Sequence, residues 1–189
     1  MNGIWEEIKT EIQNVSPHIA KSFNKPATIA HISKLERELS VHLTESMKSY
    51  LATFNGQNHN NYGITFIGGN CLLPVDEIIE NYKMQLEVFA DEPDLDIPEN
   101  KIKPRIWTNG WIPLSDFMGI TKIVLDLNPG KAGKSGQILQ LWAGQDLENE
   151  DVVIAESFEE FSVQLLKHLQ LKEFEFEDNA IILNDDWII

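Results

Sequence analysis

Apolar residues recur every three or four positions near the start of the chain, at Ile4, Ile8, Ile12 and Val15, with Glu6, Glu7, Lys9 and Glu11 between them. That spacing gathers the apolar side chains on one face and predicts a helix from Gly3 to about Phe23, ended or kinked at Pro17. Asn24-Lys25-Pro26 is a break. A second helical pattern begins at Thr28, a residue suited to cap a helix, and carries Ile29, Ile32, Leu35 and Leu39 on one stripe. Thr44 opens a third, with Met47, Tyr50, Leu51 and Phe54 on its apolar face. Asn55-Gly56 closes it, because both residues tolerate the left-handed backbone of a helix end. Pro74 to about Phe89 forms a fourth, with Val75, Ile78, Ile79, Tyr82, Leu86 and Phe89 at core spacing. Ser157 caps the last, where Phe158, Phe161, Leu165, Leu166 and Leu169 face inward and Glu159 and Glu160 meet the positive end of the helix dipole.

Elsewhere the pattern becomes that of β-strands. Gly63–Ile67 alternates and runs into Gly68-Gly69, which predicts a strand and a turn, and Cys71–Leu73 is a short second strand. Trp111–Leu114, Lys122–Leu127, Gln137–Trp142 and Val152–Ala155 are four more strands, separated by turn residues at Asn128-Pro129-Gly130 and Ala143-Gly144. Connections this short favour antiparallel pairing. Glu173–Ile189 alternates acids with Phe174, Phe176, Ile181 and Leu183, as an edge hairpin turning at Asp178-Asn179 would. Residues 90–104, rich in Asp, Glu and Pro, show neither period and are expected to be a mobile segment or a lid. The order of elements predicts one α+β domain over residues 1–189, an antiparallel β-sheet with helices packed around it.

Composition narrows the function classes. With 42% hydrophobic residues the chain can build a core, which excludes wholesale disorder. A single cysteine, Cys71, rules out an internal disulfide. No apolar run reaches the roughly 18 residues of a membrane span. The N-terminus places Glu6 and Glu7 early, with no basic segment before an apolar core, so a cytoplasmic protein is expected. Thirty acids against fifteen bases give a net charge of −15, which argues against direct nucleic-acid binding. The acid is uneven: residues 1–145 carry 17 acids and 13 bases, and residues 146–189 carry 13 acids and 2 bases. Such a pole either solvates the surface or steers a basic protein partner.

Candidate chemistry is sparse. Gly133-Lys134-Ser135 resembles the end of a phosphate-binding loop, but Asn128 stands where the pattern needs glycine, and a strand follows where a helix should. It reads as a basic hairpin tip. His18, His31, His42, His59 and His168 fall in no metal-ligand spacing. Cys71 lies in an apolar stretch that suits an inert buried thiol. Asp91, Glu92, Asp94, Asp96 and Glu99 cluster without the spacing of a calcium loop. No catalytic, metal-binding or cofactor-binding residue is therefore assigned, and no cofactor is expected. Trp107 and Trp111 flank a turn at Asn109-Gly110, and at least one of them is expected in the core.

The segments in order resemble the Smi-one/Knr-four family of the SUKH superfamily. Its helix-pair signature is matched by Ile32, Leu35-Glu36, Leu39-Ser40, Leu43-Thr44, Tyr50-Leu51 and Phe54-Asn55-Gly56, with Ser40 where glycine is usual and Thr44 where proline is usual. Trp111-Ile112-Pro113-Leu114, Leu125-Asp126 with Pro129, Gly136-Gln137-Ile138 and Ser157-Phe158-Glu159-Glu160-Phe161 match its later segments. The resemblance covers about residues 28–170. It leaves 1–27 as an N-terminal helical extension and 171–189 as an acidic C-terminal extension. It implies a non-enzymatic protein-binding domain. The bacterial type, an immunity protein that neutralises a basic, possibly nuclease-type toxin, is expected ahead of the alternative, a regulatory scaffold of the fungal cell-wall type. Expected partner contacts are Trp107, Asp116, Asp146, Glu148, Glu150 and Asp151. Asp126 is expected to end its strand by accepting turn hydrogen bonds.

Overall fold

The computed structural model describes residues 3–58, 64–97, 99–148, 151–177 and 180–183. The helical period is realised in α1 (Ile4–Val15), α2 (Pro17–Ser22), α3 (Ile29–Leu39), α4 (Glu45–Thr53), α5 (Val75–Val88) and α6 (Phe158–Leu171). Pro17 divides the first predicted helix in two: it takes the first position of α2, and the Ser16 hydroxyl accepts the Ile19 N–H at 3.3 Å. Thr28, Thr44 and Ser157 cap α3, α4 and α6 through their side-chain oxygens, as expected. Ile29 departs from the predicted stripe. It stands in the first turn of α3 at 85% exposure, and Leu35 and Leu39 carry the burial.

The strands are β1 (Cys71–Leu72), β2 (Trp111–Pro113), β3 (Ser115–Asp116), β4 (Thr121–Asp126), β5 (Gln137–Trp142), β6 (Val153–Ala155), β7 (Phe174–Glu177) and β8 (Ala180–Leu183). The four strands predicted after residue 105 form one antiparallel sheet in the order β2-β4-β5-β6. The chain is α+β, as expected. β3, which the pattern did not announce, pairs with β1, and β7 with β8. The strand expected over Gly63–Ile67 reduces to bridges made by Ile67, which meets Asn70 across the Gly68-Gly69 turn and Ile181 of β8; Gly63 lies outside the described residues. So does the Asp178-Asn179 turn between β7 and β8.

The sheet is buried on both faces. Ile112, Ile123, Leu125 and Ile138 point into a large core shared with the helices. Their alternates Trp111, Val124 and Leu139 join Ile102, Trp107 and Val152 in a second cluster. Helices cover the first face. Segment 90–107, which has no helix or strand among its described residues, supplies Ile102 and Trp107 to the second. The acidic loop is thus a lid on the sheet. Its backbone approaches so closely that a Cβ on Gly130 would lie 2.1 Å from the Asn100 carbonyl oxygen, and one on Gly133 2.0 Å from that of Lys101.

Candidate functional site: an apolar groove with an acidic lip

The motifs that make the chain recognisable are engaged in building it. Glu36 accepts the Leu43 N–H at 2.9 Å, fixing the connection between α3 and α4, and this bond holds its carboxyl below the ordinary value. Asn55 accepts the Val75 N–H at 2.8 Å and so caps α5, whose own N-cap residue, Pro74, has no side-chain donor or acceptor. Gly56, at φ +65°, packs against the backbone of Leu73 and Pro74, where a Cβ would approach to 2.4 Å. Asp126 accepts the Asn128 N–H at 2.8 Å, as expected of a strand end. Its second oxygen takes the Gln137 amide at 2.8 Å, and the same amide reaches the Lys101 carbonyl of the lid at 3.0 Å. Burial pushes Asp126 up to about 6 against these hydrogen bonds. The Trp111 indole favours the charged carboxylate from nearby, although its N–H has no partner at ordinary hydrogen-bond distance.

The remaining candidates are equally committed. Gly133 serves the close lid contact, Lys134 pairs with Glu156, and Ser135 donates to the Leu127 carbonyl at 3.2 Å. Gln137, first residue of β5, follows them, so no helix N-terminus faces that turn. The Cys71 thiol is pushed up to about 11, chiefly by burial and further by Glu77 and Asp116. Asp94 pairs with Arg105 at 2.8 Å and Glu99 with Lys101 at 2.8 Å. His31 accepts the Thr28 N–H in the capping box of α3. Among the described residues no group of His, Cys, Asp and Glu is arranged to hold a metal, and no helix is long and apolar enough to cross a membrane.

Among the concavities of the described residues, a mostly apolar groove of about 540 Å³ lies on the lid side of the sheet. One wall is the end of α5, with Val88 and Phe89, and a second is the lid, with Leu95, Ile106 and Trp107. The floor and far wall come from Ile120, from Leu141 and Trp142 of β5, and from the turn after it, residues 143–148. Gly144, at φ +83°, makes that turn, and the Ala143 N–H donates to the Ile120 carbonyl at 2.7 Å to tie it to the β3–β4 turn. Asp146 and Glu148 form a negative lip. Lys122 is the cation of the lining, and it is already paired with Asp116.

Three residues expected to touch a partner, Trp107, Asp146 and Glu148, therefore converge on one groove, and Asp116 adjoins it through Lys122. Trp107 reaches the outside only as a wall. It is 5% exposed and packs edge-to-face on Trp111 with ring centroids 5.8 Å apart, so both tryptophans belong to the core. Glu148 accepts the Asp96 N–H at 2.7 Å, and Asp151 takes Lys101 at 2.6 Å. These two acids fasten the lid. Asp151 does not line the groove, and Glu150 lies outside the described residues. The groove itself could not be read from the sequence, because it is assembled from the end of a helix, an aperiodic loop and two turns.

Comparison with protein families matches residues 26–164 to the SMI1 / KNR4 family (SUKH-1). The chain belongs to this family. The match lies within a few residues of the 28–170 span expected from the motifs. Among curated relatives, KNR4/SMI1 homolog 2 of Debaryomyces hansenii is 25% identical over 222 residues, covering 95% of this chain and 37% of that protein. The cell wall biosynthesis/cell cycle regulator smi1 of Schizosaccharomyces pombe is 26% identical over 176 residues, 85% of this chain and 33% of the relative. The glucan synthesis regulatory protein of Neurospora crassa is 22% identical over 202 residues, 87% of this chain and 37% of the relative. The chain thus spans about a third of the length of the SMI1/KNR4 relatives it matches.

Proposed function

We propose that this SMI1/KNR4 domain is a non-catalytic, cytoplasmic protein-binding module that regulates cell-wall construction. The observation that carries this reading is the similarity, over 85% and 87% of the chain, to proteins named as regulators of cell-wall biosynthesis and of glucan synthesis. It replaces immunity as the main reading, since none of these relatives' names points to a toxin. The chemistry is in keeping: the Cys71 thiol is held protonated, the motif residues are bound into the fold, and the groove offers apolar contact. Removing the chain from its own cells should change wall glucan content or sensitivity to a wall-perturbing dye, and restoring it should reverse the change. An unaltered wall, together with protection against a toxin encoded beside the chain, would overturn the regulatory reading in favour of immunity.

A further inference from the structure

We propose that the groove beside Trp107 is the docking site for a basic linear segment of a partner protein, one that seats a bulky apolar side chain between lysine or arginine residues. The inference rests on the reading of the chain as a protein-binding module and names the chemistry of what is bound. Its shape supports it first. A concavity of about 540 Å³, walled by Phe89, Leu95, Trp107 and Leu141, is of the size that encloses an apolar anchor. Apolar surface continues onto the rim, where Val88 is 63% exposed and Ile120 49%, with Met118 next to the lining Gly119 at 84%. Among the described residues no element covers this rim.

Charge decides the occupant. Asp146 and Glu148 make the lip negative, and the lining's cation, Lys122, is neutralised by Asp116. A second copy of the chain would bring its own net charge of −15 against this lip, and an anionic membrane would be repelled in the same way. A segment of the opposite sign gains from the field and needs the apolar pocket for affinity.

Fluorescence polarisation with the full chain tests this, using labelled short peptides that carry a central Trp or Leu between Lys and Arg. Companion peptides carry Glu flanks or a central Ala. The basic apolar peptides should bind, and binding should weaken with salt. Ile120→Arg should weaken it by at least about tenfold, the loss of one anchor contact. Asp146→Asn with Glu148→Gln should flatten the salt dependence, while Val163→Arg, an exposed apolar site on α6, should leave binding as it was. Circular dichroism and unfolding midpoints confirm that the variants fold. Equal binding by folded Ile120→Arg, or equal binding of the Glu-flanked peptides, would overturn the proposal. Self-association abolished by Ile120→Arg would also overturn it and assign the groove to a second copy. The two readings fail separately: peptide binding with an unaltered wall sinks the regulatory role and leaves the groove, whereas wall regulation retained in Ile120→Arg sinks the groove and leaves the role.

Discussion

Asp126 is sealed from water between Trp111 and Gln137, its cross-strand neighbours on β2 and β5. Because its folded value is raised from 3.8 to about 6, the folded state holds this proton more tightly than the unfolded chain does. The stabilisation is therefore full below about pH 4 and is lost as the pH rises through about 6, by about 3 kcal/mol. Urea unfolding of the wild type and Asp126→Asn across that window should show the wild type losing stability relative to the variant as pH increases. Taking the difference removes Glu36, whose lowered value acts with the opposite sign. Ser40 gives a second test. It ends α3 at φ +54°, in the left-handed region, at the position where related sequences are expected to carry glycine. Ser40→Gly should stabilise the protein by about 1 kcal/mol, read as a higher urea midpoint. At this scale much was legible: the caps at Thr28, Thr44 and Ser157 and the strand-ending role of Asp126 follow from local chemistry. The tasks of Asn55 and Glu36 were not, because each bonds a backbone group well removed along the chain.

Among the elements, α1 and the lid show where pattern alone falls short. The amphipathic period of α1 is plain in the sequence, but its partner is not. Trp5 stacks on Phe158 of α6 at 5.5 Å and meets Tyr50 of α4 at 4.7 Å, so a helix outside the matched 26–164 span completes the main core. Trp5→Ala should cost about 3–5 kcal/mol in denaturant unfolding. A helix that merely hung from the domain would leave the midpoint unchanged. The lid tells the opposite story. Its sequence is aperiodic and acidic, yet it buries Ile102 at 3% exposure against the second face of the sheet. Ile102→Ala should cost about 2–5 kcal/mol and speed amide exchange across residues 99–107, with the protection of α3 and α4 retained until global unfolding. The central strands β4 and β5 were readable because short apolar runs bounded by turn residues mark them, but β3 is Ser115–Asp116, two polar residues with no apolar run to detect.

At the scale of the whole molecule, charge sets the terms. A net charge of −15 repels itself, so adding salt at low ionic strength should raise the thermal midpoint by screening that repulsion. A midpoint that falls with salt would mean that local pairs such as Lys101 with Asp151 and Arg105 with Asp94 outweigh the global field. The acidic C-terminal quarter was evident from composition, but its use was not: Glu148 and Asp151 turn inward to the lid as well as outward to solvent. By itself the sequence determined the α+β class, the antiparallel pairing of the main strands, the helix caps and the family, because period, capping and short turns are local rules that a linear pattern expresses. Only the tertiary structure decided that α1 belongs to the core, that the acidic loop is a lid on the sheet, and that Trp107, Asp146 and Glu148 share a groove. Those outcomes depend on which faces remain uncovered once the elements pack, and that is a property of the assembled surfaces.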